Sequence, residues 1–163
     1  ATTMRRLWTM LAHHQGELLN QSKLAAALAI NGQNVSRYID LMCDLMLVRR
    51  LPAWHGHVGK RLIRSPKVYV RDSGLVHALL GLSDLDAVLG HPIAGSSWEV
   101  FVLEQLINAA PQAQASFYRT SNGAEVDLVL TFRQQQTWAP RTNGWSHRWR
   151  KPIPSKRASK WWM

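Results

Sequence analysis

The sequence predicts an α+β chain made of two small units and a basic tail, and three observations carry that prediction. Apolar residues recur at helical spacing through roughly the first 45 positions. Short runs of branched and aromatic residues, bounded by turn signals, then follow at 47–51, 67–70, 116–120 and 125–131. After Phe132 the composition changes in kind. At 163 residues the chain has room for one ordinary domain or two small ones. We divide it into residues 1–71, 72–132 and 133–163.

In the first unit, Met4, Leu7, Trp8 and Leu11 form the apolar stripe of a helix that Gly16 ends. Asn20 or Ser22 can cap a second helix packed through Leu24, Ala25, Ala27 and Leu28. Asn31-Gly32 is a turn signal. A third helix is expected from about Asn34, with Val35, Tyr38, Ile39, Met42 and Leu45 on one side. A strand at 47–51, a loop at 52–59 and a returning strand broken at Pro66 complete the unit.

That order is the order of a winged helix-turn-helix. Outside the apolar face, the third helix presents Gln33, Asn34, Ser36 and Arg37, side chains able to reach base edges and phosphates. The wing adds Arg49, Arg50, Lys60, Arg61 and Arg64, which makes DNA a candidate partner. Against this stand Asp40 and Asp44, which repel a duplex, and the many winged helices that bind proteins instead. The run Gly56-His57-Val58-Gly59-Lys60-Arg61 lacks the four-residue gap and hydroxyl of a phosphate loop, so it reads as the wing's hairpin. His13, His14, His55 and His57 have no zinc-ligand spacing.

In the second unit, Asp72-Ser73 caps a helix through Leu75, Val76, Leu79 and Leu80, and Ser83-Asp84 starts a short one ending at Gly90. Ser96 or Ser97 is expected to cap a strongly apolar helix carrying Trp98, Phe101, Val102, Leu103, Leu106 and Ile107, which Pro111 ends. Glu99 then falls in its first turn, where the helix dipole favours a carboxylate. A hairpin follows: strand 116–120, turn 121–123, strand 125–131. By alternation Val126, Leu128 and Leu130 share one face, and Glu125, Asp127 and Val129 the other. Glu99, Glu125 and Asp127 are therefore candidate ligands for a hard divalent cation serving phosphodiester hydrolysis. The plainer reading makes them a helix-dipole partner and a solvated strand face.

Three runs occur in order: Ser65-Pro66-Lys67-Val68-Tyr69-Val70-Arg71-Asp72-Ser73-Gly74-Leu75, then Gly95 to Val102 around Trp98-Glu99, then Arg119 to Val129 around Gly123 and Glu125-Val126-Asp127. Over about residues 4–132 the chain resembles a widespread prokaryotic family of predicted ATPases. Those proteins have an AAA-type core, a winged helix and a C-terminal domain of unknown function related to the PD-(D/E)xK nuclease fold. The resemblance implies a truncated nuclease-like α/β unit in which Glu99 is the helix acid and Asp127 the hairpin acid. It also implies a strand bearing Glu-x-Lys after Leu130, where this chain has Gln134-Gln135-Gln136-Thr137-Trp138-Ala139-Pro140.

No Glu-x-Lys occurs after Asp127, and no phosphate loop lies in these residues. The expectation is a non-catalytic region of an AAA-type ATP-binding protein that engages nucleic acid or a partner. It has no ATP site of its own, no small-molecule substrate and no cofactor beyond weak Mg²⁺. Two alternatives remain open. One is an Mg²⁺-dependent nuclease using Glu99, Glu125 and Asp127, with a tail lysine such as Lys151 folded in. The other is a protein-interaction module.

The tail holds eight Lys and Arg without an acid and five of the eight tryptophans, so the overall +10 is +2 from the body and +8 from the tail. Basic residues interleaved with aromatics suit single-stranded nucleic acid. The abrupt, acid-free onset favours a tail without selected structure, such as a frame-shifted end. No signal peptide and no apolar run of about 18 residues is seen, so a membrane is not expected. Lone Cys43 suits a reducing, cytoplasmic setting. A two-stranded hairpin buries little, so Val126, Leu128 and Leu130 are expected to be exposed and to promote homo-oligomers or marginal stability.

Overall fold

The computed structural model describes residues 2–54, 65–121, 123–132 and 137–139. Helix α1 (Thr2–His13) buries Leu7, Leu11 and Ala12 along one stripe. Asn20 caps α2 (Gln21–Leu28), its side chain accepting from the Lys23 N–H. Helix α3 (Gly32–Asp44) begins two residues before the expected Asn34, because the Asn31 side chain accepts from the Asn34 N–H at 2.8 Å. Strands β1 (Val48–Leu51) and β2 (Lys67–Val70) form an antiparallel ribbon with Val48 opposite Val70 and Leu51 opposite Lys67. The loop expected to carry Lys60, Arg61 and Arg64 lies outside the described residues.

Asp72 and Asp84 cap α4 (Ser73–Leu79) and α5 (Leu85–Leu89), as their positions in the sequence predict. Helix α6 (Ala94–Ala109) does not start where expected. The His91 ring accepts from the Ile93 N–H at 3.1 Å and Pro92 has no N–H to satisfy, so the helix is launched upstream of both serines. Ser96 and Ser97 lie inside it, and Glu99 falls beyond its first turn, so the dipole no longer accounts for that carboxylate. Ser97 instead bonds the His77 ring at 2.8 Å, tying α6 to α4.

Strands β3 (Gln114–Arg119), β4 (Glu125–Thr131) and β5 (Thr137–Trp138) make an antiparallel sheet in the order β3-β4-β5. Gly123, at φ +84°, allows the β3–β4 turn. Thr137 and Trp138, expected in an unstructured tail, pair with Thr131 and Leu130. The rest of that tail, from residue 140, is outside the described residues.

Two cores form, and β2 serves both. Val68 and Val70 join Leu7, Leu11, Leu24, Leu28, Val35, Ile39 and Met42 in the first. Tyr69 joins Leu51, Ala53, Val100, Leu103, Phe117, Leu128 and Leu130 in the second. Leu128 and Leu130 are therefore fully buried, and the exposed apolar strand face expected from the hairpin alone does not exist. The missing cover comes from the first unit. Residues just after β1 run alongside β3, where the Phe117 N–H donates to the Pro52 carbonyl at 3.0 Å and Ala53 bridges Phe117 in parallel.

Charge follows the same seam. Residues 1–71 hold eleven Lys and Arg against three acids, whereas residues 72–132 hold one against seven. The most buried ion pairs, those of Glu104 and of Lys67, draw their cations from the first stretch and their carboxylates from the second. Glu104, on α6, receives Arg49 in a two-pronged pair and Arg71 at 2.9 Å. Among the described residues, no helix is long and apolar enough to cross a membrane.

Candidate functional site

Where α1 hands over to α2, the chain is stitched along β2. The Gly16 N–H donates to the Val68 carbonyl, the Val68 N–H to the Glu17 carbonyl, and the Leu19 N–H to the Pro66 carbonyl. The Gln15 amide completes the edge, accepting from the Val70 N–H at 3.0 Å and donating to its carbonyl at 3.4 Å. Gly16 sits at φ +71°, and a Cβ there would lie 3.0 Å from the Tyr69 ring, so the turn requires glycine twice over.

This loop, β2, α6 and the β3–β4 hairpin enclose a cleft of about 590 Å³. Its charged walls are Glu17, Lys23, Lys67, Glu99, Arg119, Glu125 and Asp127. Lys67 is at its centre. Alternation along β2 turns Val68 and Val70 into the first core and sends Lys67 and Tyr69 the other way, so the lysine rises between the two hairpin acids. Its Nζ is 2.7 Å from Glu125 Oε1 and 3.1 Å from Asp127 Oδ1, and 5.6 Å above the centre of the Phe117 ring. Only 4% of the residue is exposed.

Burial works against that ammonium. The Tyr69 hydroxyl, Asp127 and Glu125 outweigh it, holding the lysine well above its ordinary pKa range. Burial likewise pushes the Tyr69 hydroxyl up, aided by Glu99 and Asp127 against the opposing pull of Lys67. Tyr69 is wholly buried, and its hydroxyl has no hydrogen-bond partner.

The three acids expected as metal ligands, Glu99, Glu125 and Asp127, do line one cleft. Among the described residues, no three His, Cys, Asp or Glu side chains come together as a metal-holding group. On the other expected surface, Gln33 and Arg37 are exposed on α3, while Asn34 and Ser36 are half-buried. Arg50 turns back onto α3, donating to Asp40 at 2.5 Å and to the Ser36 carbonyl at 3.3 Å. Arg49 points inward to Glu104. Asp40 is thus a partner of Arg50 as well as an acid on the α3 face.

Sequence reasoning did not single out Lys67, Tyr69, Arg71 or Glu104. The available signal was Lys67-Val68-Tyr69-Val70 itself: a strand with an apolar face and an amphipathic face has no solvent side to spare.

A helical unit with a ribbon, ion-paired to a helix-and-hairpin unit, is a mixed α+β arrangement. The chain belongs to the family described as Domain of unknown function (DUF8612), which matches residues 1–86. A second family, Domain of unknown function (DUF4143), matches residues 94–140 and so takes in β5. The chain is 46% identical over 130 residues to Uncharacterized protein Rv2008c of Mycobacterium tuberculosis and equally to Uncharacterized protein Mb2031c of Mycobacterium bovis. That match covers 80% of this chain and 30% of each relative. The chain thus spans under a third of the curated relatives it matches. No solved structure matches it.

Proposed function

We propose that this chain is a non-catalytic region of a longer AAA-type ATP-binding protein, built from a winged helix and a nuclease-like unit, that engages nucleic acid. The observation carrying the non-catalytic half is the seating of Lys67 between Glu125 and Asp127, at 2.7 and 3.1 Å. Metal-assisted hydrolysis needs carboxylate oxygens free for the cation and a separate amine to orient water. In this cleft the amine is bonded to the acids themselves, and no Glu-x-Lys follows Asp127 to supply another set. On this reading the ATP site lies outside these residues.

The nucleic-acid half rests on α3, whose exposed Gln33 and Arg37 lie in its first two turns, the part of a recognition helix that meets base edges. The test uses the full chain. Plasmid DNA should stay intact with Mg²⁺ or Mn²⁺, and duplex binding should weaken steeply with salt and fall on Arg37→Ala. Metal-dependent cleavage that disappears in Asp127→Ala would establish the nuclease alternative instead.

A second reading, partner binding, is favoured by Trp98 and Phe101. These stack at 5.6 Å on α6 and are 59% and 43% exposed. It predicts association that persists in high salt without any DNA shift.

A further inference from the structure

The C-terminal end of α3 breaks three local rules at once. Asp44 ends the helix and Asp40 lies one turn before it, both exposed, at the pole where the helix dipole disfavours carboxylates. The last turn of α3 holds no basic residue. Leu41, Leu45 and Met46 are 44%, 57% and 71% exposed, although Leu45 falls on the side expected to pack. Met46 also stands at φ +58°, in the left-handed position that glycine usually fills after a helix.

The turn itself is well made. The Met46 N–H donates to the Cys43 carbonyl at 3.0 Å and the Leu47 N–H to the Met42 carbonyl at 2.9 Å, closing the helix. Its backbone suits glycine, yet a long apolar side chain is held there in solvent. Helix α2 ends on the same conformation with Ala29, at φ +53°, which offers only a methyl group. Strain kept together with an exposed apolar patch marks a contact surface.

Charge decides what fits that surface. Leu41 and Leu45, four residues apart, share one stripe of the helix, and Met46 follows directly. Arg50 binds Asp40 at 2.5 Å, whereas Asp44, next to Leu45 in the chain, is open to solvent. Phosphates are repelled by these acids, and the same patch on a second copy would set acid against acid.

We propose that the C-terminal end of α3 docks a partner protein through a basic segment. Its apolar side chains cover Leu41, Leu45 and Met46 while a lysine or arginine meets Asp44. That cation supplies what the negative pole of the helix lacks, and it gains strength as the apolar contacts exclude water. The surface lies past Gln33 and Arg37 on the same helix and does not depend on the nucleic-acid reading.

The probe is a synthetic amphipathic helix, leucines on one face and lysines on the other, titrated into the full chain by calorimetry. The same peptide with glutamate for every lysine should bind at least about tenfold more weakly. Leu45→Ser should weaken the lysine peptide at least about tenfold and leave the melting temperature nearly unchanged, since that side chain already meets water. Asp44→Lys should reverse the preference between the two peptides. Met46→Gly should raise the melting temperature while weakening binding, opposite signs that a purely structural residue would not give. Arg37→Ala should leave peptide binding unchanged, so a failure of the DNA reading shows separately.

An absence of binding, equal affinity for the two peptides, or binding untouched by Leu45→Ser would overturn the proposal. So would binding lost in Trp98→Ser instead. Self-association that Leu45→Ser abolishes would overturn it too, assigning the patch to a second copy.

Discussion

Two clusters of opposite charge hold the halves of this molecule together, and they are built on inverse plans. At one, a single carboxylate, Glu104, is clamped by two arginines from the ribbon and its exit, and only 7% of its side chain is exposed. At the other, a single ammonium, Lys67, sits between two carboxylates on the floor of a cleft of about 590 Å³. The planar forks of Arg49 and Arg71 satisfy both oxygens of Glu104. A point-like ammonium meets one oxygen of each acid, and Arg119 stands 3.6 Å from the other oxygen of Glu125. The first cluster is closed around its acid, whereas the second opens onto the cleft.

Removing the closed cluster should have the largest effect. Glu104→Ala leaves two half-buried guanidinium groups without their acid and should lower unfolding free energy by about 3 kcal/mol in urea denaturation. A loss below about 1 kcal/mol would erase the distinction drawn between the clusters. Next comes Gly16→Ala, which forces a side chain into a left-handed turn and against a buried ring. About 2 kcal/mol is expected, with the Tyr69 environment changed in near-ultraviolet circular dichroism.

Acid should separate the clusters more gently. Although burial alone would raise it, the hydrogen bonds and charges of Arg49 and Arg71 hold the Glu104 carboxyl below its ordinary pKa. Its contribution is present above the unfolded value of about 4.3 and is lost as pH falls through the lower folded value. Glu104→Gln should flatten the stability profile in that window. Lys67 has the opposite sign: its contribution is complete below about pH 10.4 and is lost only as pH rises through its higher folded value. The smallest effect belongs to Arg37, exposed on α3. Arg37→Ala should change stability by less than about 0.5 kcal/mol while weakening duplex binding in a salt-dependent assay.

Much of the local structure was legible. Asp72, Asp84 and Asn20 announce helix starts through short polar side chains that bond their own backbone, a signal that needs no tertiary context, whereas Asn31 was read as a turn and not as the cap of α3. The start of α6 was misread because its signal is a histidine ring followed by proline, a rarer device than the serines downstream. Burial of Leu128 and Leu130 was illegible for another reason: their cover comes from Leu51, Ala53 and Tyr69, about sixty to eighty positions earlier. The site was half legible. Glu99, Glu125 and Asp127 do share a cleft, but the cation that meets two of them stands on a strand assigned to the neighbouring unit. Short-range pattern rules do not reach that far.

Since the ammonium and its acids come from separate halves, neither can drift alone through evolution. A descendant that exchanges Lys67 for a neutral residue should exchange Asp127 in the same lineage.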